Sequence, residues 1–150
     1  MEDELVRDRQ RWAEVLARAG AAAIEAKLED APALPAHRRL RGPETGLVMV
    51  RGRAGGTGAA FNLGEMTATR CSVVLEGGMA GHAMVAGRDG RHAELVAMLD
   101  AAAQDRALRR TLEEAVIAPL AAAQAARRET TARKAAATRV QFFTLATMRS

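Results

Sequence analysis

The chain has 150 residues, a formal net charge of +4 and a single cysteine. This length suits one domain that buries most of its apolar surface, and one cysteine excludes both an intrachain disulfide and a cysteine-built zinc cluster. Aromatic residues make up only 3% and there is no tyrosine, so the basic strips interleaved with aromatics that mark single-strand and RNA binders are absent. The positive charge is carried by arginine, with Lys27 and Lys134 the only lysines. GC-rich coding gives that bias, and so does selection for bidentate contacts to carboxylate or phosphate. The opening MEDELVRDRQ is acidic and polar, unlike a secretory or transit peptide. No apolar run reaches the length of a membrane span, so the expected location is the cytoplasm.

In chain order, Leu5, Trp12, Val15, Leu16, Ala19 and Ala23 share one helical face, with Arg7, Asp8, Arg11, Glu14 and Arg18 mostly opposite. Gly20 interrupts this pattern, and Ile24 and Leu28 continue it to about Glu29, giving one kinked helix or two. Pro32 and Pro35 close the helical part, and Asp30–Arg41, with the basic patch HRRLR, reads as a loop. A strand is expected over Gly46–Arg53, with Leu47, Met49 and Arg51 on one face and Val48 and Val50 on the other. Ala54–Gly58 (AGGTG) is a turn, followed by a short strand Ala59–Leu63 and a longer one Met66–Leu75. On the longer strand Thr67, Thr69, Cys71, Val73 and Leu75 point the same way.

Glu76–Gly81 turns the chain into a fourth strand, His82–Ala86. Asp89 is placed to cap a helix whose Leu95, Met98, Leu99 and Ala102 line one face. After a break at Gln104–Arg106, a further helix carries Leu108, Leu112, Val116 and Ile117, and Pro119 kinks it or opens the next. Leu120–Thr138 is alanine-rich and charged, with strong helix propensity but few large apolar side chains. The chain then ends in Val140, Phe142, Phe143 and Leu145, which reads as a partner-binding arm. The fold class is therefore α+β, one domain, helical over 1–30, an antiparallel sheet of about four strands over 44–87, and helical over 89–150 with a C-terminal arm.

The glycines of AGGTG do not form a phosphate cradle. A P-loop requires Lys-Ser/Thr at a helix start, and a dinucleotide fingerprint requires a strand-to-helix turn; here the chain returns as a strand. His37, His82 and His92 have no metal-site spacing, so no metal is expected. Cys71 lies among apolar neighbours without a local histidine and reads as a buried structural thiol. The chemistry-bearing set is Arg51, Arg53, Glu65, Thr67, Thr69, Arg70 and Arg88. Antiparallel pairing brings Glu65 within reach of Arg51 or Arg53. The set serves either as ion pairs within the sheet or at a subunit contact, or as an anion site in which Arg51, Arg53, Arg70 and the threonine hydroxyls hold a phosphate-like group.

PETGLVMVRGRAGGTGAAFNLGEMTATRC, the turn GRD at Gly87–Asp89 and the C-terminal AATRVQFFTL together resemble the PhnG family, a subunit of the bacterial carbon–phosphorus lyase system. The resemblance covers nearly the whole chain and rests on contiguous words such as FNLGE and TATRC. It implies an accessory subunit of an enzyme that displaces adenine of ATP by an alkylphosphonate, giving a ribose 1-alkylphosphonate 5-triphosphate. It also implies PhnI-, PhnH- and PhnJ-type partners and a PhnL-type accessory protein, with catalytic residues mainly on the PhnI-type subunit. No cofactor is expected on this chain, Mg-ATP being substrate of the complex; self-association is open, and neither nucleic acid nor membrane is an expected partner. Two other readings are a stand-alone phosphate-transferring enzyme and a nucleotide- or nucleic-acid-binding module.

Overall fold

The computed structural model describes residues 2–140 apart from residue 56. Two N-terminal helices, α1 (Glu2–Ala19) and α2 (Ala21–Leu28), are separated at Gly20. Three antiparallel strands follow, β1 (His37–Gly52), β2 (Phe61–Leu75) and β3 (Ala80–Ala86), in spatial order β1-β2-β3. The chain then forms α3 (Gly90–Ala102), α4 (Arg106–Leu112), a π turn (Glu113–Ile117) and α5 (Ala118–Ala137). The sheet is one outer layer, α3 lies against it, and α1 and α2 pack on the far side of α3.

Three sequence expectations need correction. The sheet has three strands, because the expected break at Gly64 is absent: Gly64 pairs with Val50 inside one continuous β2. Residues 37–41 are strand, not loop: His37 and Arg39 pair with Leu75 and Val73 and point towards α3. Ala23 is exposed and Ile24 takes the buried place on α2.

Several local expectations are met. Thr69, Cys71, Val73 and Leu75 are buried together on the α3 face of β2. Asp89 caps α3, its carboxylate accepting from His92 N at 2.9 Å. Asp105 does the same for α4, accepting from Ala107 N and Leu108 N. The loop between β1 and β2 turns with Gly55 at φ +67°, where a side chain would be strained.

The core explains why α3 tolerates burial nearly all round, with residues 92–97 all buried. Its small residues let the layers close: a Cβ on Gly81 of β3 would stand 2.0 Å from Ala97 O, so only glycine fits there. Trp12 anchors α1, 1% exposed, and its Nε1 donates to Glu113 Oε2 at 2.7 Å. Arg11 pairs with the same carboxylate. The π turn sits where Pro119 lacks the N–H for, and its ring would meet, the carbonyl of Ala115; a widened turn relieves that conflict. Arg9 binds Asp100 through two bonds of 2.8 Å, joining α1 to α3, and Asp100 Oδ2 also accepts His82 N from β3. Beyond Gln124, which donates to Val15 O, every described residue of α5 and those following it is exposed.

Candidate functional site

The lengths of the elements position the site. The 13 residues of α3 span about 20 Å, whereas the 15 residues of β2 span about 50 Å. The helix layer therefore covers less than half of the β1–β2 hairpin. β3 pairs only with residues 68–74 of β2, so it too stops before the distal half. Residues 46–52 and 61–67 form a two-stranded ribbon with both faces and both edges open over most of its length.

The side chains on this ribbon are those of a core. Leu47, Met49, Phe61 and Leu63 are 66%, 51%, 47% and 59% exposed. Alternation along the paired strands places Leu47 and Met49 on the face that, further along, continues under α3 as Thr69, Cys71, Val73 and Leu75. The register slips between Val50 and Arg51, leaving Leu63 as an extra residue of β2 that lies against Gly52, the partner of Phe61. Val48 and Met66, a cross-strand pair on the opposite face, are also exposed, as is Met84 on β3. A contiguous apolar surface of this kind marks an interaction site.

The structure divides the chemistry-bearing residues between the two ends of the hairpin. Arg51 and Arg53 stand at the distal end, Arg51 Nη2 reaching Ala60 O at 3.5 Å. Glu65 pairs across the ribbon with Met49, not with an arginine. Arg70 is eight residues along β2 from Asn62, the partner of Arg51, so about 26 Å separates the two arginines. A single anion site using Arg51, Arg53 and Arg70 is not assembled in this chain. Thr67 is half-buried; Thr69 is buried, its hydroxyl donating to Gly87 O at 2.8 Å and lying 3.0 Å from Thr45 Oγ1. Arg88 is exposed on the turn between β3 and α3. Of the C-terminal set, Val140 is exposed, and Phe142, Phe143 and Leu145 lie outside the described residues.

At the base of the hairpin, on the face away from α3, Arg41, Arg70, Ser72, His82 and Met84 line an open depression of about 360 Å³. Glu44 Oε2 accepts from Arg41 Nε and Arg70 Nε, both at 3.0 Å. Removal from water acts to raise this carboxyl, but the guanidinium groups outweigh it and hold Glu44 below the usual carboxylate range. Ser72 Oγ is 2.9 Å from His82 Nδ1, yet Asp100 binds the backbone N–H of His82 and not its ring. Among the described residues, the third group that orients a catalytic histidine is therefore not in place.

Beneath the sheet lies a second charged cluster that sequence reasoning missed. Arg39 grips Glu94 of α3 through bonds of 2.7 and 2.8 Å, and His37 Nε2 lies 3.0 Å from the same carboxylate. Arg39 lowers Glu94 most; burial opposes it, His37 assists, and the group settles at about 2. Burial and the neighbouring Glu94 push the Cys71 thiol up, which suits a structural residue and not a nucleophile. The cluster ties β1 to α3 and holds the base of the hairpin.

Comparison with known proteins connects this architecture to a family. The chain matches the family described as phosphonate metabolism protein PhnG over residues 7–148. The chain belongs to the PhnG family. A relative from Rhizobium meliloti (strain 1021), alpha-D-ribose 1-methylphosphonate 5-triphosphate synthase subunit PhnG, is 46% identical over 123 residues. That alignment covers 82% of this chain and 74% of the relative. The PhnG match spans every element described above except the first residues of α1, and so includes the whole ribbon. No helix among the described residues is long and apolar enough to cross a membrane.

Proposed function

We propose that this chain is an accessory subunit of a phosphonate-degrading synthase. In that assembly the adenine of ATP is displaced from C1′ by an oxygen of an alkylphosphonate, giving alpha-D-ribose 1-alkylphosphonate 5-triphosphate. Support comes from family membership, the name of the Rhizobium meliloti relative and one structural observation, the uncovered apolar ribbon of the β1–β2 hairpin. A chain of this size leaves side chains such as Leu47 and Leu63 in water at a cost of roughly 1.5–3 kcal/mol each relative to full burial. An obligate subunit recovers that on assembly.

The reaction needs an anionic nucleophile held in line with C1′ and charge stabilisation for the departing adenine and the triphosphate. In this reading those tasks fall on PhnI-, PhnH- and PhnJ-type subunits, with a PhnL-type protein assisting, and Mg-ATP enters as substrate of the whole in the cytoplasm. Arg51, Arg53 and Glu65 belong to the partner contact. Arg70 stays in its network with Glu44, which would have to release it before it could take a phosphate oxygen. The test is adenine release from Mg-ATP and methylphosphonate. The assembled complex should release adenine, the complex lacking this chain should not, and the chain alone should not. Release by the verified single chain would overturn the accessory reading.

A further inference from the structure

We infer that the distal ribbon, residues 46–52 and 61–67, is inserted into an apolar groove edged by carboxylates on another subunit of the synthase, an inference that rests on the subunit assignment above. Area and charge choose this occupant over a second copy of the chain. The ribbon is about 23 Å long and 10 Å wide, so one face offers on the order of 230 Å², well short of the ~800 Å² per partner of a stable interface. Flat face-to-face pairing of two ribbons is therefore insufficient. A groove that encloses both faces and extends the free edges of β1 and β2 with its own backbone approaches that area.

Charge points the same way. From His37 to Asp89 the chain carries seven arginines, Arg38, Arg39, Arg41, Arg51, Arg53, Arg70 and Arg88, against four carboxylates, Glu44, Glu65, Glu76 and Asp89. With Glu94, which binds Arg39 from α3, set against these arginines the region keeps an excess of +2, half of the +4 of the whole chain. At the ribbon itself Arg51 and Arg53 stand against Glu65 alone. A second copy brings arginine to arginine whether the ribbons run tip to tip or tip to base. A partner with acidic side chains around an apolar floor satisfies both features.

The experiment co-expresses the full chain with the other synthase subunits and recovers the complex through a tag on this chain. The wild type should bring down those subunits. Met49→Asp with Leu63→Asp places two charges on exposed positions, so the isolated variant should melt as the wild type does while recovered partner falls about a hundredfold. Arg51→Glu with Arg53→Glu should lower recovery about tenfold and flatten its dependence on salt. Recovery by the aspartate variant equal to wild type overturns this inference alone. Loss of a wild-type dimer with the subunits still bound would assign the ribbon to a second copy and also overturn it. Failure of the wild-type chain to bring down any synthase subunit overturns the subunit assignment and the inference together.

Discussion

Leu63 and Leu75 stand on one strand, yet Leu63 is 59% exposed and Leu75 is 2% exposed. The difference lies in what covers the strand. At the base, α3 lies over β2, β3 pairs along one edge, and Glu94 reaches up to Arg39 and His37. The outer edge there is guarded as well: Arg38, Arg41 and Pro43 occupy it, and the register slips between Arg39 and Glu44. The distal half has none of these. Residues 47–50 present Leu, Val, Met and Val on an open edge with no charge until Arg51. A free edge of this composition is an aggregation hazard unless a partner occupies it. The hairpin is thus one element in two settings, a core strand pair at the base and an uncovered ribbon at the tip, where we propose the docking arm.

Substitutions at matched positions test that division. Leu75→Ala should cost about 2–5 kcal/mol, because it empties a closed site in the core. Urea unfolding at neutral pH measures this. A cost below about 1 kcal/mol would mean that the base is not the rigid half.

Glu94→Gln probes the staple between sheet and helix. The folded carboxyl sits at about 2, against 4.5 for the ordinary group, so it gives up its proton more readily when folded than when unfolded. Its contribution is fully present above about pH 4.5 and is lost as pH falls through about 2. The shift corresponds to stabilisation on the order of 3 kcal/mol, less whatever screening acts through half-exposed Arg39. Wild-type stability should therefore fall between pH 4.5 and 2, and the glutamine variant should be less stable at neutral pH with a flatter acid limb. Parallel acid limbs would remove Glu94 from this role.

Thr69→Val is smaller, about 1 kcal/mol, since it deletes the hydroxyl bonds to Gly87 O and Thr45 while keeping the shape. Leu63→Ala completes the series, with a change within about 0.5 kcal/mol in the free chain. A thermal melt that places it beside Leu75→Ala would erase the distinction between the two halves.

Much of the base could be read from local signals. Alternation along 67–75 identified the buried face, Asp89 announced the start of α3, and Gly20 its break between the first two helices. The first strand turn was hidden because His37, Arg38, Arg39 and Arg41 look like a solvated loop. Their inward members are matched by Glu94, which lies 55 residues beyond Arg39. A pairing so distant leaves no local mark. Gly64 looked like a break for the opposite reason, since a glycine interrupts the pattern locally while the ladder runs through it.

The exposure of the ribbon left no mark in the sequence. The apolar residues of the ribbon alternate as core strands do, and only the 20 Å reach of α3 against the 50 Å of β2 leaves them uncovered. That mismatch belongs to the assembled layers. The expected C-terminal arm, Val140, Phe142, Phe143 and Leu145, follows the exposed end of α5, and its phenylalanines lie outside the described residues.

Hydrogen exchange, followed by mass spectrometry on the chain alone and in the assembled synthase, tests this division of the hairpin most directly. Amides of residues 69–75 should be protected in both states, at the level of global unfolding. Amides of residues 61–66 should exchange fast in the free chain, as a lone two-stranded ribbon opens readily, and slow by orders of magnitude on assembly. Equal protection of both segments in the free chain, or an unchanged distal segment in the complex, would contradict the account.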